Sequence, residues 1–199
     1  MRRRIMASAN VNSAKSRFVT ALTSEGGTKT EIGFGSDFYG YDIRFNCRDY
    51  NGWGSVIYNN SSNDFIIGHH GNNGEGSLYS RIRGNLYCAT RGTPRQGIVR
   101  AVAYDGIASM YAEDGLFDYY KDSTYDKSRT LSSNSTEVYI ARAKGDYFGF
   151  KMYGKNMQVN LDLRPFVSVE DGVEVACFCD TITGKLFYGE GSGQYGWIE

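Results

Sequence analysis

His69 and His70 are the only two histidines in a chain of 199 residues, and they are adjacent. Neighbours on a strand point to opposite faces, so this pair is poorly placed to chelate one metal ion. A general acid–base role for either would need a partner that the sequence does not identify. Carboxylates are no better arranged. The closest run, Glu170-Asp171-Gly172-Val173-Glu174, contains an Asp-Gly pair that reads as a turn, and Glu113-Asp114 also sits at a turn. No HExxH, GxSxG or P-loop spacing occurs, and Gly33-Phe34-Gly35-Ser36-Asp37 is only an isolated glycine pair. These residues predict no catalytic site, no metal site and no enzyme.

Binding chemistry is better represented. Sugar recognition needs a flat aromatic to stack on pyranose C–H faces, with amides, carboxylates or imidazoles to reach hydroxyls. Two stretches carry that set: Tyr50, Asn51 and Trp53 in one, and His69, His70, Asn72 and Asn73 in the other. The competing reading packs Tyr50 and Trp53 on the edge of the fold and leaves the histidines in a solvated loop. Asn72, Asn73 and Glu75 form no recognisable calcium loop. Cys47, Cys88, Cys177 and Cys179 include no CxxC pair. Cys177 and Cys179 fall on one face of a strand at a spacing unsuited to a mutual disulfide, and all four read as reduced and partly buried.

The elements that must hold these stretches read as strands. Tyr (16), Phe (11) and Gly (25) are abundant and Pro (2) is scarce, which favours pleated surfaces broken by turns. Tyr41, Ile43, Phe45 and Cys47 alternate with Asp42, Arg44 and Asn46, the pattern of a half-buried antiparallel strand. Phe18–Leu22 and Lys29–Phe34 read as strands around Gly26-Gly27, while Val56–Tyr58 and Phe65–Gly68 read as short strands next to the binding loops. Asp105-Gly106, between Ile98–Tyr104 and Ile107–Glu113, is the strongest hairpin signal, and Asp114-Gly115 turns the chain again. Lys144-Gly145, Asp171-Gly172, Thr183-Gly184 and Ser192-Gly193 punctuate the last third. Residues 121–135 are polar and read as a long exposed loop. Residues 1–17 have no usable period and read as an arm, either a frayed terminus or a segment that docks on a neighbouring subunit through Arg2, Arg3 and Arg4. No amphipathic helix is evident. These features predict one all-β domain over 18–199, leaving jelly roll, immunoglobulin-like sandwich and closed barrel open.

Charge and targeting exclude several classes. Twenty-two basic and 22 acidic residues give no net field to gather nucleic acid. No apolar run approaches the roughly 20 residues of a membrane helix. Ile5–Asn10 is too short and polar for a signal-peptide core, which predicts a protein made in a cytoplasm. The sequons at Asn59, Asn60 and Asn134 then have no role.

A resemblance narrows the fold. Ser109-Met110-Tyr111-Ala112-Glu113-Asp114-Gly115-Leu116 resembles a laminin-G-like strand and turn, and Val138–Arg142 and Phe148–Tyr153 resemble the strands that follow it. Leu163-Arg164-Pro165-Phe166, Cys177-Phe178-Cys179-Asp180, Thr183–Tyr188 and Gly191–Tyr195 are similar to an ending found in concanavalin A-like jelly-roll proteins of gut bacteria and their phages. Ala21–Gly33 resembles the opening of that group. Phe166 stands where the family usually has Cys, and Cys179 where it usually has Tyr.

The resemblance implies a two-sheet antiparallel jelly roll. Endoglycosidases of the wider superfamily carry three carboxylates at alternating positions of one strand, and no such run exists here. Some laminin-G-like domains bind calcium. The expectation is a non-enzymatic phage virion protein, a head or tail decoration or fibre component, with glycan adhesion to the host surface as an accompanying role. Its partners would be other virion proteins or further copies of itself, together with host polysaccharide. The alternatives are a free bacterial lectin-like protein at the cell surface and, remotely, a glycosidase.

Overall fold

The computed structural model describes residues 15–32, 40–48, 52–59, 65–72, 75–82, 85–89, 97–104, 107–112, 115–121, 138–154 and 158–199. Among these residues the regular structure is all strand, without a helix. No helix of the described residues is long and apolar enough to cross a membrane. The strands are β1 (Arg17–Phe18), β2 (Ala21–Ser24), β3 (Thr28–Glu31), β4 (Gly40–Cys47), β5 (Gly52–Asn59), β6 (Phe65–Asn72), β7 (Glu75–Ile82), β8 (Asn85–Ala89) and β9 (Val99–Tyr104). They continue as β10 (Ile107–Ala112), β11 (Gly115–Lys121), β12 (Val138–Ile140), β13 (Gly145–Tyr153), β14 (Val159–Glu170), β15 (Val173–Asp180), β16 (Leu186–Tyr188), β17 (Glu190–Gly191) and β18 (Gly196–Ile198).

The strands form two antiparallel sheets. The larger runs β11-β10-β9-β4-β13-β14-β15-β16, with β2 and β18 joined beside β13 and β1 beside β14. The smaller runs β17-β3-β12-β5-β6-β7-β8. Between them lies one hydrophobic cluster. Leu22, Tyr41, Ile43, Phe45, Phe150 and Phe178 enter it from the larger sheet, and Val56, Ile57, Val138 and Ile140 from the smaller. This is the arrangement of a β-sandwich. Tyr147, Phe150, Phe178 and Tyr195 form an aromatic chain through it, with successive ring centroids 5.9, 5.4 and 5.9 Å apart. On one side β8 lies against β10 and β11, so the outer strands of the two sheets meet. On the other, the chain passes from β16 to β17 through Gly189, where a Cβ would fall 2.6 Å from Thr28 Cγ2.

The alternation of β4 is as expected: Tyr41, Ile43, Phe45 and Cys47 are buried, while Arg44 is exposed. Asp171 and Gly172 take φ values of 50° and 81°, the left-handed pair of a tight hairpin. Tyr104 pairs with Ile107, so Asp105-Gly106 connects a two-residue hairpin. The next turn is displaced by one residue. Ala112 pairs with Gly115, which makes Glu113-Asp114 the connection and Gly115 the first residue of β11.

The strand expected over Phe18–Leu22 is divided. Arg17 and Phe18 pair with Val167 and Phe166 of β14, and Ala21 and Leu22 pair with Ile198 and Trp197 of β18. The crossing at Val19-Thr20 is held by Val19 N–H to the Pro165 carbonyl (3.2 Å) and Thr20 N–H to the Ile198 carbonyl (2.8 Å). Arg17 therefore belongs to the sheet rather than to the arm. Its guanidinium reaches Glu174 at 2.5 Å and Glu199 at 2.5 Å, and these carboxylates raise it above its ordinary value. The remaining arm arginines, Arg2, Arg3 and Arg4, lie outside the described residues. Of the expected loop at 121–135, Lys121 closes β11 and the rest lies outside the described residues.

Candidate functional site

The two stretches expected to be separate loops are largely paired strands. Trp53 and Gly54 lie within β5, and His69, His70 and Asn72 within β6. Strand β6 continues through the histidines because it pairs along its full length with β7, up to Asn72 opposite Glu75. In the β5–β6 ladder Gly52 faces Gly71, Trp53 faces His70 and Gly54 faces His69. Stretches about twenty residues apart in sequence thus meet at one end of one ladder. Tyr50, Asn51 and Asn73 lie outside the described residues. The missed signal for the β6–β7 hairpin is Asn73-Gly74, the two residues between Asn72 and Glu75.

Other candidate groups are committed to structure. Cys47, Cys177 and Cys179 are free and buried. Burial pushes the Cys47 thiol up to about 12 and the Cys177 thiol up to about 11, so neither is a ready nucleophile. Glu170 and Glu174 flank the Asp171-Gly172 turn, where Glu170 accepts a hydrogen bond from the Tyr188 hydroxyl and Glu174 binds Arg17. On the smaller sheet Tyr58 stacks on Tyr139 with centroids 5.3 Å apart. Lys29 Nζ lies 3.6 Å from the Tyr139 centroid and the Arg142 guanidinium 5.3 Å from that of Tyr58. Cations therefore already sit over this aromatic pair, which makes it a packed element rather than an open stacking platform.

The larger sheet carries a feature that the sequence did not announce. Two adjoining cavities of about 370 and 470 Å³ lie on the face turned away from the core, and both are lined by Arg44, Phe148 and Arg164. Their floor follows from register. Arg100 of β9 faces Arg44 of β4, and Arg44 faces Gly149 of β13. A Cβ on Gly149 would lie 3.7 Å from Arg164 Cδ and Nη1, which puts Arg164 over the same gap from β14. Three arginines thus occupy one cross-strand row with a glycine between two of them. The neighbouring row is Asp42, Lys151 and Asp162. Strand β13 bulges between Tyr147 and Gly149, and Phe148 falls in that irregularity.

The charges are unequally paired. Asp42 takes Arg100 in a two-point contact, Arg100 Nε to Oδ1 at 2.8 Å and Nη2 to Oδ2 at 2.5 Å. This holds the Arg100 guanidinium above its ordinary value. Asp162 is shared by Arg164 Nε at 2.9 Å and Lys151 Nζ at 3.9 Å. Arg44 makes no ion pair with the described residues and lies over the Phe148 ring, its guanidinium carbon 5.2 Å from the centroid. The two carboxylates stand two strands apart, but both oxygens of Asp42 already accept from Arg100. That arrangement offers ionic and hydrogen-bond recognition.

Only part of this cluster was visible beforehand. Asp42 and Arg44 are on the polar face of an evidently alternating strand. Arg100 and Arg164 are brought to Arg44 by pairings across the sheet between segments far apart in sequence, which no local pattern encodes. No protein-family model matches this sequence, and no curated protein matches it.

Proposed function

We propose that this chain is a non-enzymatic jelly-roll subunit of a phage particle, a head or tail decoration or fibre component, that also adheres to glycan on the host surface. The β5–β6 register carries the adhesion half of this reading, because it brings the aromatic stretch at Trp53 and the His69-His70 stretch to one place. Tyr50, Asn51, Asn72 and Asn73 flank the same ladder end in sequence. The virion half is supported by the resemblance of 136–195 to jelly-roll endings encoded by phages and by the basic arm. The rooted start of β1 adds a mechanical point: Ser16 Oγ accepts the Val169 N–H at 3.0 Å, and Arg17 is clamped by two carboxylates. A load on the preceding arm would be passed directly to the large sheet. Repeated copies on a particle would turn a weak sugar contact into useful avidity.

The test is incorporation. Purified particles should contain the full-length chain at a fixed copy number. A chain lacking residues 2–14 should keep the β-sheet spectrum and stay out of the particle. Absence of the full-length chain from particles, with the free folded protein in the lysate, would point to a free lectin-like protein instead.

A further inference from the structure

We propose that the outer face of the larger sheet holds a second ligand site, distinct from the β5–β6 ladder end, that takes an acidic saccharide through Arg44 and Arg164. The first argument is charge. Four cations line the larger-sheet cavity, Arg44, Arg100, Lys151 and Arg164, against two carboxylates, Asp42 and Asp162. Among the described residues two positive charges are left over there, in a chain whose net charge is zero. Like charges directly opposite on neighbouring strands destabilise a sheet, and Arg44 directly faces Arg100. Asp42 compensates Arg100, and no described carboxylate compensates Arg44. A planar guanidinium held over an aromatic ring and left without an anion is suited to receive a carboxylate in a two-point contact.

The second argument is shape. Between Arg44 and Arg164 the floor is Gly149, which contributes no side chain, so the row of arginines encloses a gap. The adjoining cavity has an apolar wall of Phe18, Val19, Ile98, Phe148 and Pro165. A uronic acid presents both surfaces that this groove complements: C–H faces for the apolar wall and a carboxylate for Arg44. The site lies on a sheet face, where main-chain N–H and C=O groups are already paired within the sheet. An acidic peptide therefore cannot add itself as a strand here and would have only its side chains to offer. The basic segment Arg2-Arg3-Arg4 has the wrong sign for the groove.

Isothermal titration with tetragalacturonic acid tests this, with maltotetraose and tetraglutamate as comparison ligands for the full-length chain. Tetragalacturonic acid should bind, weaken as salt is raised, and bind at least about tenfold more tightly than either comparison ligand. Arg44→Gln and Arg164→Gln should each lower its affinity about tenfold or more. Arg44→Gln should melt no lower than the parent, because it removes a like-charge contact. Trp53→Ala should leave this binding unchanged, which separates the groove from the ladder end. The proposal is overturned by no detectable binding of tetragalacturonic acid, by unchanged affinity in a folded Arg44→Gln protein, or by equal binding of maltotetraose. Tighter binding of tetraglutamate would overturn it in favour of an acidic peptide.

Discussion

Asp180 is buried, at 1 % exposure, yet it is well supplied with donors. Its Oδ1 accepts from the N–H groups of Asp162 (3.0 Å) and Ile182 (3.3 Å), and its Oδ2 from Thr183 N–H (3.3 Å) and the Thr183 hydroxyl (2.5 Å). Burial works to raise this carboxyl, but the hydrogen bonds, led by the Thr183 hydroxyl, outweigh it and hold the group below its ordinary value. A folded-state value below the unfolded one stabilises the protein above about pH 4, and that stabilisation is lost as pH falls through the folded value. Asp180→Ala should cost about 1–3 kcal/mol in urea unfolding at neutral pH and flatten the acid side of the stability profile. An unchanged acid limb would show that the turn does not depend on this carboxylate. At the same scale, Gly149→Ala places a methyl 3.2 Å from the Leu163 carbonyl oxygen and over the gap beside Arg164. It should weaken tetragalacturonic acid binding while the circular dichroism spectrum is kept. Equal binding would mean that the gap is not the seat. The solvent-facing place of Arg44 was legible from the alternation of Tyr41–Cys47. That no described carboxylate pairs with it was not, because that depends on which residues the fold sets beside it.

Among the elements, β1 and β18 tie the first described residues to the last. Arg17 bridges Glu174 and Glu199, and the Trp197 indole N–H donates to Glu199 at 3.0 Å. Arg17→Ala should therefore speed amide exchange at Val19 and Thr20, whose N–H groups bond Pro165 and Ile198, without altering exchange in β4. Uniform exchange in the two proteins would remove the clamp from the account. Short-range turn chemistry made several elements readable, as at Asp105-Gly106 and Asp171-Gly172. It failed where a glycine sits one position past the turn, as Gly115 does, since a dipeptide motif does not fix ladder register. The histidine stretch was read as a loop from its Gly and Asn content. The β7 ladder supplied the hydrogen bonds that composition could not foretell.

For the whole molecule, the all-β character was legible because aromatic and β-branched runs recur between turns throughout the chain. Two sheets were expected only from the resemblance, since the runs themselves left a closed barrel open. The order of strands was not, since pairings such as β4 with β9 and β13 join segments without a shared local pattern. The shared core makes the sandwich a cooperative unit. Phe178 is fully buried between Phe150 and Tyr195, so Phe178→Ala should lower stability by about 3–5 kcal/mol in urea unfolding. A loss below about 1 kcal/mol would mean that the sheets do not share this core. The proposed adhesive role is tested most directly by binding of purified particles to isolated host surface polysaccharide. Particles carrying the unaltered chain should bind, and particles carrying Trp53→Ala at the same copy number should bind about tenfold less or weaker still. Equal binding by the two kinds of particle would contradict the assignment of adhesion to the β5–β6 ladder end.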